Sequence, residues 1–295
     1  MTTFDVAILG AGPAGIAAAI QLNRHGITPI IFGCASVGGL LRNANLVENY
    51  PGFPRGISGA GIVKLLEIQL LDAHAVMVSQ PALSLDFNGR EFAITTESQS
   101  FTSKYILLAT GTKAKIPPVP GLSEALGRRA FSEILPVCDV KGKRVAIVGA
   151  GDAAFDYALN LAKHNTAEIF NRGERVSCLQ LLWDRANKSD SITYHERCVL
   201  HRVSHDADKI NLQWLQNGAF WDGVYDYLLI AIGRVPNLYC LSDSLVSRLP
   251  ELEREGLFYK IGDVGNGRFR QASIAMGQGI EAAMKIAGKL TGLNT

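Results

Sequence analysis

The chain has 295 residues, a formal net charge of +2, 47% hydrophobic residues and 30 glycines. That length supports two domains with substantial cores, and a nearly balanced charge without a Lys/Arg block gives no electrostatic reason to expect nucleic acid or a membrane surface as partner. No apolar run reaches the roughly 18–20 residues that span a bilayer, and no basic stretch precedes the short apolar run of MTTFDVAILG, so a cytoplasmic protein is expected.

Taken in order, Val6–Leu9 has strand length and opens directly onto Gly10-Ala11-Gly12-Pro13-Ala14-Gly15, after which small and apolar residues continue at helical spacing to Leu22. A turn at His25-Gly26 and a second apolar strand, Pro29–Phe32, complete a βαβ unit. In such a unit Gly10 permits the turn, Gly12 lets a pyrophosphate approach the backbone, and Gly15 brings helix and strand together, with the helix N-terminus facing the phosphates. The reading is a dinucleotide site, weighed against a merely glycine-rich turn. The acid that holds an adenosine ribose should close the second strand near Phe32-Gly33-Cys34, and none is there.

Gly38-Gly39-Leu40 and Glu48-Asn49-Tyr50-Pro51-Gly52-Phe53 are turn signals, loops able to lie against a flat ring. Ile62–Ala75 has helical periodicity, while Phe92–Thr96 and Phe101–Leu108 read as strands, the second running into Ala109-Thr110-Gly111. The proline-rich Lys115–Gly121 cannot continue a central strand or helix and marks a domain boundary.

Beyond it, Arg144–Val148 is again a strand opening onto Gly149-Ala150-Gly151-Asp152-Ala153-Ala154, followed by a helix through Leu161 and a strand at Ala167–Phe170. Two such units in one chain are far more specific than either alone. Trp183–Val203 holds His195, Glu196, Cys198 and His201, whose spacing matches no zinc pattern. Lys209–Leu215 and Phe220–Ala231 suggest a hairpin and then a strand ending at Gly233. The closing segment carries Gly262-Asp263-Val264, Arg270-Gln271-Ala272 and a helix from Ser273 to about Lys289. Ile274, Met276, Ile280, Ala283, Met284, Ile286 and Ala287 form an apolar face of that helix, read as core packing. Asp263, following a strand-terminal glycine, is placed to accept from a sugar or ribityl hydroxyl. Five cysteines (34, 138, 178, 198 and 240) are scattered and never spaced as CxxC, which argues against a disulfide framework or a zinc site and for buried, inert thiols.

As a set, Gly10–Gly15, Gly38-Gly39, Glu48–Gly52, Ala109–Gly111, Gly149–Ala154, Gly233–Asn237, Gly262-Asp263 and Arg270–Ala272 resemble the low-molecular-weight thioredoxin reductase family of FAD flavoproteins over nearly the whole chain. The resemblance implies an α/β fold of two Rossmann-like domains, with an NAD(P)-binding domain (115–233) inserted into a discontinuous FAD-binding domain (1–114 and 234–295). It implies FAD contacts at Gly10, Gly12, Pro13, Ala14, Gly15, Phe32, Gly33, Gly38, Gly39, Leu40, Asn49, Ala109, Thr110, Gly111, Gly262, Asp263, Arg270, Gln271 and Ala272. The implied NAD(P) contacts are Gly149, Gly151, Asp152, Ala153, Ala154, Arg172, Arg175 and Gly233, and a homodimer with a rotating insert is implied too. Some family members also lack the ribose acid.

The family's redox CxxC precedes the second glycine motif, where this chain has Arg128–Asp139. Either ungapped register, Ser132 with Leu135 or Glu133 with Pro136, supplies no thiol pair, and Cys138 reads as a linker thiol rather than a flavin-facing one. Without two sulfurs a dithiol relay cannot operate. Gly151–Leu159 resembles the thioredoxin-reductase-like ferredoxin–NADP reductases, which also lack the pair but carry a C-terminal extension over the flavin. The expected activity is therefore passage of hydride from NAD(P)H to FAD and of electrons to an external acceptor, ferredoxin or another small redox protein among the candidates. The alternatives are a flavin-bearing sensor module with a vestigial nicotinamide site and a single-thiol reductase using Cys138. Asn171-Arg172-Gly173-Glu174-Arg175 tilts the nicotinamide towards NADPH, since the arginines can hold a 2′-phosphate and no acid selects NADH, unless both are solvated surface charges.

Overall fold

The computed structural model describes residues 2–33 and 37–292; Cys34 and the last three residues lie outside them. In chain order the first stretch is β1 (Thr2–Leu9), α1 (Pro13–Arg24), β2 (Ile30–Phe32), α2 (Gly59–Asp72), β3 (Val76–Val78), β4 (Ser84–Phe87), β5 (Phe92–Thr95), β6 (Ser100–Leu108) and β7 (Thr112–Ala114). The middle comprises α3 (Leu122–Ala125), β8 (Ala130–Phe131), β9 (Arg144–Val148), α4 (Asp152–Leu161), β10 (Thr166–Phe170), α5 (Gln180–Asn187), β11 (Ile192–His195), β12 (Cys198–His205), β13 (Ile210–Gln216), β14 (Ala219–Tyr225) and β15 (Tyr227–Ile230). The chain closes with β16 (Arg234–Pro236), α6 (Asp243–Arg254), β17 (Phe258–Lys260) and α7 (Ala272–Thr291).

Two compact units result: residues up to Arg42, Val47–Lys113 and from Pro236 onward make one, and Asn43–Leu46 with Ala114–Val235 make the other. In the first, the sheet order is β3-β2-β1-β6-β5-β4, and β17 shares the outer edge of β6 with β5. The strands β3, β2, β1, β6 and β17 are parallel, so the central ones are apolar on both faces: Val6, Ala7, Ile8 and Leu9 are all buried. Helix α7 lies so close to α1 that a Cβ on Gly279 would sit 2.2 Å from the Ala14 carbonyl oxygen, an approach only glycine allows. That contact brings the C-terminal segment to the start of α1.

In the second unit a parallel sheet, β11-β10-β9-β15-β8, is accompanied by the antiparallel meander β12-β13-β14. Lys209–Leu215 and Phe220–Ala231, expected as a hairpin and then a strand, form the hairpin β13–β14 and the strand β15, and the second stretch divides between two sheets because Asp226 turns the chain. Its carboxylate accepts from the Arg144 amide at 2.9 Å and from Lys209 Nζ at 2.8 Å, so the residue is buried and pinned at the corner. The apolar face expected of the last helix is also narrower. Met276, Ala283, Ile286 and Ala287 are buried, but Ile274, Ile280 and Met284 are each about 40% exposed, since the stripe facing α1 is filled by Ala275, Gly279 and Ala282. His195, Glu196, Cys198 and His201, whose spacing matches no zinc pattern, straddle the β11–β12 turn; His195 Nε2 meets Glu168 Oε2 at 3.0 Å and its ring stacks on Phe170. No helix among the described residues is long and apolar enough to cross a membrane.

Candidate dinucleotide sites

The first unit builds a cradle at the β1–α1 turn. Gly10 has φ +117°, and a Cβ there would lie 2.3 Å from the Ala109 carbonyl oxygen; Gly15 stands equally close to Gly10. The three glycine-bearing segments at 10, 15 and 109–111 are therefore locked together, with Ala109 N donating to Leu9 O and Thr110 Oγ1 to Asn237 O. Gly12 differs: a Cβ built on it meets nothing within 4 Å. It is the N-cap of α1 and offers no side-chain cap, Pro13 occupies the first turn, and no acid stands there, so the leading amides of α1 face open space beside a partial positive charge.

The other expected residues gather around this turn. Gly10 N donates to Phe32 O at 2.7 Å and Gly38 N to Ala11 O at 2.7 Å, while Gly39 stands against Gly12 and leads a 3-10 turn containing Leu40. Gly33 lies against Ala11, and Gly262 against Ala14, its amide held by Gln278 Oε1 at 2.8 Å; Asp263 follows in the same 3-10 turn. Gln271 is the N-cap of α7 and accepts from Asn49 Nδ2 at 2.8 Å, so the Asn49 loop meets Arg270-Gln271-Ala272 at a second helix N-terminus. A dinucleotide fits this donor set: an open face over Gly12, uncapped amides and no carboxylate in the first turn of α1.

The second unit repeats the construction. Gly149 has φ +140°, with its Cβ position 2.2 Å from the Ala231 carbonyl oxygen, so Ala231-Ile232-Gly233 serves β9–α4 as Ala109-Thr110-Gly111 serves β1–α1. Ala231 was not singled out in the sequence, although the repeated Ala-x-Gly after a buried strand was the signal for it. Gly151 caps α4 without a side-chain bond and leads Asp152, Ala153 and Ala154; its outer face is open except for Ser177 Oγ at 3.6 Å. Ser177 is another residue the sequence reading missed, tied to Ala150 O through both amide and hydroxyl. Asp152 is drawn aside, its Oδ1 accepting from Leu179 N at 2.7 Å.

At the end of β10, Asn171 is buried and fully used. Its amide group donates to Arg175 O and Tyr194 Oη and its oxygen accepts from Gly173 N, which shapes the 171–175 turn. That turn leaves Arg172 and Arg175 exposed, neither in an ion pair among the described residues.

The segment where a redox dithiol would sit instead lines an open, mostly apolar hollow of about 600 Å³ with Phe131, Ser132, Glu133, Leu135 and Pro136. Glu133 accepts from Asn43 Nδ2 at 3.1 Å. Cys138 is half-buried, donates to Leu135 O at 3.2 Å, and has its pKa raised by burial and then by Asp139, which keeps it a thiol.

The model of the pyridine nucleotide-disulphide oxidoreductase family matches residues 4–279. The chain belongs to that family. Among relatives of this oxidoreductase, the bifunctional thioredoxin reductase/thioredoxin of Mycobacterium leprae is 28% identical over 96% of this chain, and NADPH-dependent thioredoxin reductase 3 of Arabidopsis thaliana is 29% identical over 98%. The chain spans 65% and 59% of those two proteins' own lengths. The crystal structure of T. acidophilum thioredoxin reductase superposes with a TM-score of 0.88 at 27% identity, covering 99% of this chain and all of that one. The pyridine nucleotide-disulphide oxidoreductase thus has the fold of thioredoxin reductases, with Rossmann-like domains for FAD and for NAD(P), and those are the cofactors its family implies.

Proposed function

We propose that this protein oxidises NAD(P)H and delivers the electrons to an external acceptor through bound FAD, with no dithiol of its own in between. The observation that carries the reading is the pair of like-built, uncapped cradles in a chain whose sequence holds no CxxC. Bound FAD would supply the hydride acceptance and the onward electron transfer. The chain's share is to bind and orient. Gly10, Gly12, Pro13, Ala14 and Gly15, with Phe32, Gly33, Gly38, Ala109, Thr110 and Gly111, would hold the pyrophosphate and adenosine half, and Gly262 and Asp263 the ribityl chain. Gly39, Leu40 and Asn49 would flank the ring, with Arg270, Gln271 and Ala272 at its pyrimidine edge, where the N-terminus of α7 favours added negative charge. Gly149, Gly151, Asp152, Ala153, Ala154 and Gly233 would take the nicotinamide dinucleotide. Free Arg172 and Arg175 support NADPH, the donor named for the Arabidopsis relative.

In domain terms, 1–114 with 234–295 would bind FAD and 115–233 NAD(P), which the two compact units support. The exposed stripe of Ile274, Ile280 and Met284 on α7 supports a homodimer. A small redox protein is the acceptor class we favour, thioredoxin being named in the bifunctional M. leprae relative and ferredoxin the one suggested by Gly151–Leu159. The hydrogen-bonded, protonated state of Cys138 speaks against a single-thiol reductase.

A second reading, a flavin module with a vestigial nicotinamide site, is favoured by one observation: Asp152 places an acid in the first turn of α4, where a pyrophosphate would dock. Anaerobic mixing with NADH and with NADPH tests both. Bleaching of the flavin absorbance within seconds, followed by reoxidation by one member of a panel of ferredoxin, flavodoxin, quinone, disulfide and oxygen, is expected; no bleaching with either nucleotide overturns the enzyme reading.

A further inference from the structure

Gln278 stands in the second turn of α7, next to the glycine that brings this helix against α1, and its side-chain amide joins two separate segments of the first unit. Its Oε1 accepts from the Gly262 amide at 2.8 Å, and its Nε2 donates to Asn266 Oδ1 at 3.1 Å. Asn266 Nδ2 in turn donates to the Phe269 carbonyl oxygen, while the Asn266 carbonyl accepts from the Phe269 amide at 2.9 Å. One side chain of α7 is thereby linked to the turn that holds Asp263 and, through Asn266, to the residue that precedes Arg270.

We propose that Gln278 is a positioning residue for the flavin, tying the Gly262–Val264 turn to the 266–269 loop so that Asp263 and Arg270-Gln271-Ala272 are held at one spacing. Those are the residues proposed above for the ribityl chain and the pyrimidine edge, and the role rests on that placement. The ends of the relay dictate its direction. A backbone N–H at Gly262 can only donate and a backbone carbonyl at Phe269 can only accept, so each side-chain amide between them has its oxygen towards Gly262 and its nitrogen towards Phe269. Every link carries the same sense, the arrangement in which neighbouring hydrogen bonds polarise and strengthen one another.

The two tied segments differ in how else they are seated. Gly262 has φ +72°, and a Cβ there would stand 2.9 Å from the Ala14 Cβ, so its turn lies flush against the first turn of α1. In the loop, Gly265, Gly267, Arg268 and Phe269 are exposed, and Asn266 is the half-buried member through which the loop reaches the helix. An exposed, glycine-bearing loop loses much chain entropy on ordering, so its position depends on such an anchor. Ala14 meets both the Gly262 turn and, at Gly279, the helix, and the loop takes its place from the same point by way of Gln278.

Dilution of the holoprotein, with released FAD read by the recovery of its fluorescence, gives the dissociation constant, and the visible circular dichroism of the FAD-saturated protein reports the surroundings of the ring. Gln278→Met removes both links and should raise the dissociation constant about tenfold, while Asn266→Ala cuts only the link to Phe269 and should raise it about threefold. Both should alter the flavin's circular dichroism band, which a loss of overall stability alone does not move. In the double variant the dissociation constant should stay close to that of Gln278→Met, because the loop reaches the helix through Gln278. Asn266→Ala serves by itself if Gln278→Met does not fold. An unchanged dissociation constant and band in either single variant, or a double variant weakened by the product of the two, about thirtyfold, overturns the proposal. An unmodified protein unable to take up FAD overturns the functional reading with it, whereas unmodified affinity in both variants overturns this role alone.

Discussion

Replacing Gly12 by alanine separates cofactor binding from folding. The backbone there has φ −80°, ordinary for any residue, and the added methyl meets no protein atom within 4 Å. Folding stability should therefore change by less than about 0.5 kcal/mol, the range of a substitution that creates no clash or cavity. A dinucleotide pyrophosphate lying on the amides of α1 would meet that methyl at contact distance, and overpacking of this kind costs about 1–3 kcal/mol, or roughly 5- to 150-fold in FAD affinity. Gly15→Ala is the contrasting variant, since its methyl would stand 2.0 Å from the Gly10 carbonyl oxygen and must displace backbone. It should lower the urea midpoint of the flavin-free protein, while Gly12→Ala leaves that midpoint alone and raises the FAD dissociation constant measured by quenching of flavin fluorescence. FAD binding at the unmodified affinity in Gly12→Ala would refute the placement of the pyrophosphate, and an unfolded Gly12→Ala would refute the open face over Gly12.

In the second unit, Arg172→Ala and Arg175→Ala should each raise the KM for NADPH about tenfold, as expected for one charge-assisted contact, and leave that for NADH unchanged in steady-state assays. Cys138→Ser should retain full turnover with every accepted substrate, and the thiol of the unmodified protein should react slowly with iodoacetamide at pH 7. Glu168, with its carboxyl lowered to about 2, is held against desolvation by hydrogen bonds from His195, Arg144 and Tyr225. A depressed carboxyl contributes stability above pH 4.5 that is lost as pH falls towards 2, so Glu168→Gln should cost about 1–2 kcal/mol at pH 7, after allowance for solvent screening, and flatten acid unfolding over that window.

Much of the frame was legible because both glycine turns follow strands buried on both faces, whose unbroken apolar runs advertise a parallel sheet; β9, α4 and β10 begin or end within a residue of where the pattern puts them. The meander was blurred because Asp226 interrupts a run that is apolar enough to continue, and the interruption depends on Arg144 and Lys209, distant in sequence. Helix α6 went unread although Ser242 caps it and Leu245, Leu249 and Leu252 form its buried stripe, for Pro250 inside it looks like a stop. At the candidate sites, the glycines and the Asn49 and Gln271 loops were visible as motifs. Ser177 was not, because it acts through a tertiary approach that leaves no local pattern, whereas Ala231 repeats the Ala-x-Gly of 109–111 and went unread. Asn171, read as the place of a missing acid, instead spends all its hydrogen bonds on its own turn.

The Gly279–Ala14 approach also sets an order of events during synthesis. One wall of the β1–α1 cradle is supplied by a helix that emerges from the ribosome some 260 residues after the other, whereas every strand of the second unit's sheets has appeared by Ile230. On the reading that the first cradle holds FAD, its capture waits on α7 and is thereby a late step in the life of each new molecule.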